Sequence, residues 1–286
     1  MAVASSRTRH GSGIRAFLEY YILVVLNDGP ASVEVIRETI VQRSSDNDKY
    51  RPGGALRVTR SDLGKVLQRL VAKKQVRSGA QDEVFVLTGQ GRAALKRFEK
   101  EKEKTEDSKD EATAKLVSII AARAGPPQGK RVLDVGTGEG YLAFKVADKG
   151  FEVLGIDSGE LDYSKGVIKK ARAKAQGNSN VEFRVARVDR LSPGGPFDGV
   201  VTSQAVHCMK NQEACLCAAF RLLRKGGVFV GSDFLVGLTG FFAHGFHAFL
   251  ALSKEEWTAN LRACGYHRIR RYEVNDYCVV AASKPE

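Results

Sequence analysis

The sequence predicts an α/β chain in two parts, a doubly wound domain with a mostly parallel sheet and, before it, a smaller domain of helices and a β-hairpin. Two observations predict the doubly wound part: an apolar strand at 132–135 runs into a glycine-rich turn and a helix, and a second strand ends in Asp157. A third observation predicts the division into two domains: residues 96–111 are nearly all charged, with alternating signs, and cannot bury a face. We therefore expect domains at 1–98 and 113–286, joined by a charged linker at 99–112.

The composition excludes several classes of protein. With 286 residues, 43% hydrophobic and 27% charged, the chain is neither disordered nor collagen-like. It contains no apolar run of the roughly 18 residues that a membrane span requires, and from its polar, basic start we expect no secretory signal. Five cysteines without a C-x-x-C pair argue against a disulfide framework and a zinc ribbon. We expect a reduced, cytoplasmic protein without a metal site.

Net charge points weakly to anionic partners. The chain carries +12 at pH 7, and residues 1–98 account for +8 of it. A basic field favours nucleic acid, although many soluble proteins of high isoelectric point bind none.

The smaller domain is predicted from helical apolar spacing. Apolar residues recur at three- and four-residue intervals over 14–26, 33–40 and 63–71. Thr59 followed by Asp62 is an N-cap signature, and it opens a helix at Arg60 that continues to about Lys74. Short β segments at 76–77 and 84–87 read as a hairpin, and a last helix starts at Gly91.

Helix, helix, helix, hairpin, helix is the order of a winged-helix domain. The segments "ILVVLNDGPASVEVI" and "VFVLTGQGRAAL" resemble the PadR-like winged-helix family over about 85 residues. In that family the third helix enters a major groove, which implies DNA contacts from Arg60, Lys65 and Arg69. The alternative is a dimerisation or lid domain, the role that winged helices often have when attached to methyltransferases.

The glycine-rich turn is the most informative segment. Its spacing is G-x-G-x-G, with Gly136, Gly138 and Gly140, whereas a dinucleotide site would require glycine where Tyr141 stands. No G-K-[ST] follows, which excludes a P-loop. Asp157 lies 21 residues after Gly136, at the end of the second strand, where an acid accepts hydrogen bonds from ribose hydroxyls.

In order, these landmarks and the later ones resemble the class I S-adenosylmethionine (SAM) dependent methyltransferases, and most closely the ubiquinone/menaquinone-type small-molecule group. The later landmarks are "NVEFRVARVDRL", "FDGVVTSQAVHCM", "RLLRKGGVFVGSD", "LSKEEWTANLRACGYHRI" and "DYCVVAASKP". The resemblance spans about residues 113–286 and implies a Rossmann-like domain with a mostly parallel seven-stranded sheet.

The resemblance also implies a SAM site. The expected cofactor contacts are Asp134, Gly136, Thr137, Gly138, Gly140, Asp157, Ser158, Asp189, Ser203 and Gln204. Asp189 lies two positions beyond the family's usual adenine-contacting acid, a place that Arg187 takes here. Either a rearranged turn lets Asp189 meet the adenine, or a backbone amide does.

Three functions stay open at this point. The first is methyl transfer to a small apolar or aromatic acceptor, with His207 as general base or as a residue that holds its loop. An aromatic insertion at 238–250, with His244 and His247, covers the acceptor or packs between domains. The second is a DNA-binding regulator that senses SAM, and the third is a nucleic-acid methyltransferase. Cys208, Cys215 and Cys217 invite a comparison with arsenite methyltransferases, which their surroundings do not favour.

Overall fold

The computed structural model describes residues 11–47, 58–79, 83–103, 105–159, 166–192, 196–235 and 251–286. The chain forms two compact units. The described part of the first precedes residue 107, and the second contains residues 107–235 and 251–286. None of the described helices is long and apolar enough to cross a membrane.

Over its described residues, the first unit contains four helices and a small antiparallel sheet. In chain order its elements are α1 (Gly11–Asp28), β1 (Ala31–Ser32), α2 (Val33–Asn47), α3 (Arg60–Ala72), β2 (Val76–Ser78), β3 (Val84–Leu87) and α4 (Gly89–Glu103). The strands lie in the order β1-β3-β2. The pairing of β2 with β3 confirms the predicted hairpin, whereas the two-residue β1 was too short to leave a periodic signal.

Helix α3 forms where the sequence predicts it. Thr59 accepts a hydrogen bond from the Asp62 amide and Asp62 caps the Thr59 amide in return, which completes a capping box. Leu63, Val66, Leu67 and Leu70 form its buried face. On the opposite side Lys65 and Arg69 are exposed.

The second unit is an α/β domain. Its elements are α5 (Thr105–Ala124), β4 (Arg131–Val135), α6 (Tyr141–Ala147), β5 (Glu152–Asp157), α7 (Val167–Lys174), β6 (Val181–Val185), β7 (Phe197–Ser203), α8 (Gln212–Leu222), β8 (Leu223–Phe234), α9 (Lys254–Ala263), β9 (His267–Val274) and β10 (Tyr277–Ser283). Two short 3-10 turns occupy 188–190 and 206–208.

The seven strands form one sheet in the order β6-β5-β4-β7-β8-β10-β9. Strands β4 to β8 are parallel, and β10 runs antiparallel to both β8 and β9. This confirms the predicted mostly parallel seven-stranded sheet. Strand order reverses between β4 and β7, and the ligand crevice of an open α/β sheet lies beside the carboxyl ends of the strands at such a reversal.

The charged segment 99–112 has helical backbone on both sides of Lys104. Helix α4 ends at Glu103 and α5 begins at Thr105, so the expected linker is helical over its described residues. Alternating charges at helical spacing stabilise such a helix even where it buries little.

The expectation of reduced cysteines was wrong for one pair. Cys217 in α8 and Cys264, the residue that caps α9, form a disulfide across a sequence separation of 47. Their Cα atoms lie 4.8 Å apart because the two helices pack against each other. Cys208, Cys215 and Cys278 form no disulfide.

Candidate functional site

The glycine turn joins β4 to α6 at the carboxyl edge of the sheet. Gly136, Gly138 and Gly140 have φ of +74°, +54° and +89°, a backbone conformation that favours glycine. The amides of Gly136 and Thr137 both donate to the Ile156 carbonyl at 2.9 Å. These bonds fix the turn against the end of β5.

The three glycines have different surroundings. A Cβ on Gly136 would lie 2.3 Å from the Ala205 Cβ, and one on Gly140 would lie 2.6 Å from the Phe183 ring. A Cβ on Gly138 would have no atom within 4 Å. Gly136 and Gly140 therefore permit close packing, whereas Gly138 presents bare backbone to open space.

Asp157 ends β5 beside this open backbone. Its carboxylate accepts a hydrogen bond from the Gly138 amide at 3.3 Å and another from the Gly159 amide at 3.2 Å. Asp157 and the following Ser158 are both half-buried. The structure thus brings two predicted cofactor residues, Gly138 and Asp157, into direct contact.

Asp134 and Thr137 form a buried pair under the turn. Asp134 is 1% exposed, and the Thr137 hydroxyl donates to its carboxylate at 2.7 Å. Burial raises the pKa of Asp134 to about 7; the Thr137 hydrogen bond opposes the rise, and the nearby charge of Asp157 adds to it. Asp134 therefore supports the turn from beneath and does not face solvent.

Asp189 lies in the 3-10 turn after β6 and forms an ion pair with Arg187. The Arg187 guanidinium donates to both carboxylate oxygens, at 2.9 and 2.8 Å, and this bond lowers the pKa of Asp189. Val185, at the end of β6, is 62% exposed. The adenine contact predicted for Asp189 stays a prediction.

Ser203 and Gln204 close β7 on the other side of the reversal point. The Ser232 hydroxyl donates to the Ser203 hydroxyl at 3.0 Å, and the Gln204 amide donates to the Ser232 carbonyl at 2.8 Å. Gln204 has a φ of +51°, which turns the chain sharply at the strand end. Ala205 then packs on Gly136, so the loop after β7 contacts the glycine turn.

His207 is fully buried and paired with Asp233. Its Nδ1 lies 2.9 Å from one Asp233 oxygen and 3.1 Å from the other, and its backbone amide donates to the same carboxylate at 3.2 Å. Burial alone lowers the pKa of His207, but Asp233 and the Cys208 thiol outweigh burial and raise it to about 10. The pair ties the loop after β7 to the end of β8.

Sequence reasoning missed Asp233. Asp233 is the last residue of the segment "GGVFVGSD". An acid at the end of a buried strand, beside the end of β7, is the sequence feature that could have identified it. The predicted insertion at 238–250, with His244 and His247, lies outside the described residues. Across the described part of the chain, no group of three His, Cys, Asp or Glu side chains could hold a metal ion.

The three residues predicted to contact DNA differ in whether they form an ion pair within the described part of the protein. The Arg60 guanidinium forms an ion pair with Glu83 at 2.5 Å. Within the described residues, Lys65 and Arg69 form no ion pair and are exposed on one side of α3.

Comparison with known proteins places the second unit in a family. Residues 127–274 match the model of a methyltransferase domain. A ubiquinone biosynthesis O-methyltransferase of Paramagnetospirillum magneticum is 36% identical over 107 residues, which are 37% of this chain and 41% of the relative. The chain therefore spans less than half of that relative's length.

Solved structures show the same fold. The CurJ carbon methyltransferase superposes with a TM-score of 0.58 at 13% identity, over 96% of this chain and 92% of its own. Phosphoethanolamine N-methyltransferase 2 of Haemonchus contortus, in complex with S-adenosyl-L-methionine, gives 0.50 at 14% identity over 60% and 53%. Since the family model covers more than half of the residues, the chain belongs to the methyltransferase domain family.

Proposed function

We propose that the protein is a SAM-dependent methyltransferase acting on a small, apolar or aromatic acceptor. One observation supports this most strongly: Gly138 presents open backbone at the carboxyl edge of the sheet, in hydrogen-bond contact with an acid at the end of the next strand. Bare glycine backbone and a strand-end acid are the features by which this kind of fold holds a nucleoside.

The residues of the turn fit the cofactor. Gly138 has the free space that a ligand needs to approach the main chain, and Asp157 carries acceptor oxygens for ribose hydroxyls. Ser158 follows at the same edge, and we assign Ser203 and Gln204 to the opposite side of the crevice. The Haemonchus enzyme has the same fold and its structure is a complex with SAM, which supports SAM as the cofactor proposed here.

The chain's part in the reaction is mainly positional. When bound, SAM would supply an electrophilic methyl group, which leaves its sulfonium by in-line displacement. The protein must hold the acceptor in line and exclude water, and this requires no protein nucleophile. Asp134 and Thr137 keep the turn rigid from below, because their hydrogen bond is buried.

We propose that His207 holds the loop after β7, and a role as catalytic base is the alternative. Its complete burial, its two bonds to Asp233 and its pKa raised to about 10 favour the loop-holding role, because a ring that is protonated at neutral pH cannot accept a proton. The two roles differ in kinetics. His207→Gln should lower kcat and flatten the acid limb of the pH–rate profile if the ring removes a proton, and should mainly raise KM if the ring holds the loop.

The activity is tested by transfer of a labelled methyl group from SAM to a panel of acceptors. Phenols and catechols represent the aromatic class, and ethanolamine phosphates and short duplex DNA represent the competing classes. We expect transfer to a phenolic or other small aromatic acceptor and none to DNA. Transfer to DNA alone would overturn the assignment of the acceptor class.

A second candidate function follows from the first unit. We propose that it is a winged-helix domain, because its helices and its β1-β3-β2 sheet occur in the winged-helix order. One side of α3 exposes polar and basic side chains, those of Ser61, Lys65, Gln68 and Arg69. Side chains of this kind hydrogen-bond to bases and phosphates. Its alternative role is dimerisation.

Titration with a fluorescent duplex at several salt concentrations separates these roles. Binding through Lys65 and Arg69 should weaken steeply as salt rises, and K65A/R69A should reduce the slope by about two. K96A/R97A, which changes the same charge on α4, is the matched control. Equal slopes in both variants, or no binding by the native protein, would favour dimerisation, which sedimentation would then test.

A further inference from the structure

We propose that Glu139, Lys170 and Lys174 form a charge clamp that positions the apex of the glycine turn for the cofactor. Glu139 lies between Gly138 and Gly140 in that turn, and both lysines lie on α7. All three are positioning residues, because they act on the ligand through the backbone of Gly138. The proposal takes its ligand from the proposed function, whereas the geometry of the clamp does not depend on that function.

The clamp joins two elements of the second unit. The Lys170 ammonium donates to one Glu139 carboxylate oxygen at 2.9 Å, and the Lys174 ammonium donates to the other at 2.7 Å. These two bonds, that of Lys174 first, lower the pKa of Glu139 to about 2. Residues 170 and 174 are one helical turn apart, so one face of α7 offers both ammonium groups to the same carboxylate.

Helix α7 is itself fixed to the sheet. Ile168 and Ala171 form its buried face, and the Arg172 guanidinium donates to the Phe183 carbonyl of β6 at 2.9 Å. The Phe183 ring also lies close to Gly140, where a Cβ would come within 2.6 Å of it. The clamp therefore ties the glycine turn to a helix that cannot move freely.

The apex of the turn is the part that needs this support. The two amides before Gly138 donate to the Ile156 carbonyl at 2.9 Å, whereas the Gly138 amide has a longer bond of 3.3 Å to the Asp157 carboxylate. Among the described residues, no atom lies within 4 Å of a Cβ built on Gly138. In the proposed complex the ribose hydroxyls share the Asp157 carboxylate with the Gly138 amide. The ion pairs of Glu139, the next residue, then hold the apex in place.

Exposure makes the clamp sensitive to salt. The side chains of Glu139, Lys170 and Lys174 are 40%, 67% and 54% exposed. Ion pairs as exposed as these contribute little to global stability, and dissolved salt screens them. The clamp should therefore affect local opening of the turn and ligand affinity, and should leave the unfolding transition of the protein nearly unchanged.

Hydrogen–deuterium exchange of the ligand-free, full-length protein tests the clamp without a cofactor. K170Q/K174Q removes both lysines and leaves the sequence of the turn unchanged. We expect a peptide that contains residues 136–141 to exchange about threefold or more faster in this variant. The matched control is K149Q/K169Q, which removes two exposed lysines that form no ion pair within the described residues and should exchange like the native protein. Equal exchange in K170Q/K174Q and the native protein would overturn the proposal.

Calorimetric titration with S-adenosylhomocysteine, which lacks the sulfonium charge, tests the effect on binding. At low salt we expect about three- to tenfold weaker affinity in K170Q/K174Q and in E139Q than in the native protein or the control. At molar sodium chloride the native affinity should fall towards that of these variants. Equal affinities at low salt would overturn the proposal. No binding by the native protein would instead refute the proposed function, and the exchange experiment would still decide whether the clamp exists.

Reversal of the charges separates the clamp from a direct effect of Glu139 on the ligand. E139K places a third ammonium group beside the two lysines and should weaken binding more than E139Q does. E139K/K170E/K174E restores both ion pairs with opposite signs and should recover the native affinity to within about twofold. Failure of this variant to recover affinity would overturn the proposal, because the charge of Glu139 would then act on the ligand itself.

Discussion

Substitution of the two glycines that flank Thr137 separates packing from ligand binding. Gly138→Ala places a methyl group where no atom lies within 4 Å, at a φ of +54°. The left-handed backbone costs about 1–2 kcal/mol for a residue with a Cβ, and no clash adds to it. Gly136→Ala has the same backbone cost, but its methyl group would lie 2.3 Å from the Ala205 Cβ. Overpacking of this kind adds about 1–3 kcal/mol.

We therefore expect Gly136→Ala to lower the free energy of unfolding by about 2–5 kcal/mol and Gly138→Ala by about 1–2 kcal/mol, measured in urea. For S-adenosylhomocysteine we expect the opposite order, with the larger loss of affinity in Gly138→Ala. The methyl group of Gly138→Ala occupies the open side of the turn, so we expect at least about tenfold weaker binding, or about 1.4 kcal/mol. Native affinity in a folded Gly138→Ala variant would refute our placement of the cofactor.

Three further predictions concern buried charges and the disulfide. Burial raises the pKa of Asp134 to about 7, so the protonated carboxyl stabilises the fold below about pH 4, and this stabilisation is lost as the pH rises through 7. Asp134→Asn should remove roughly 4 kcal/mol of the pH dependence of the free energy of unfolding, measured in urea. An unchanged pH profile would contradict the burial argument. The raised pKa of His207 predicts that its ion pair with Asp233 stabilises the fold below about pH 6.5 and that this stabilisation is lost as the pH rises through 10. In the same urea assay, Asp233→Asn should remove this fall in the free energy of unfolding. A fall that persists in the variant would contradict the ion pair. Cys217→Ser should lower the free energy of unfolding by about 2–4 kcal/mol, because the disulfide closes a loop across a separation of 47 residues; equal stability of variant and native protein under oxidising conditions would show that the bond does not form.

Local patterns predicted most of the fold. The strand, glycine turn and helix at 131–147 follow from apolar spacing and from glycines that tolerate positive φ. Asp157 was predicted from its place at the end of a strand, and it lies against Gly138 as expected for neighbouring parallel strands. The capping box at Thr59 and Asp62 follows from four consecutive residues.

Contacts between distant segments could not be predicted. Asp233 lies 26 residues from His207, and only the parallel pairing of β7 with β8 brings the two strand ends together. The disulfide depends on how α8 packs against α9, which cysteine spacing does not encode. The ion pair between Arg60 and Glu83 has the same cause, because the hairpin folds back towards α3.

The central claim is that the turn at Gly138 and Asp157 binds the nucleoside of the cofactor. Calorimetric titration of S-adenosylhomocysteine into the native protein and into Asp157→Ala tests it most directly. We predict micromolar binding by the native protein and a loss of about tenfold or more in the variant, because the ribose hydroxyls lose a charged acceptor. Equal affinity in the two proteins, or no binding by the native protein at millimolar ligand, would contradict the claim.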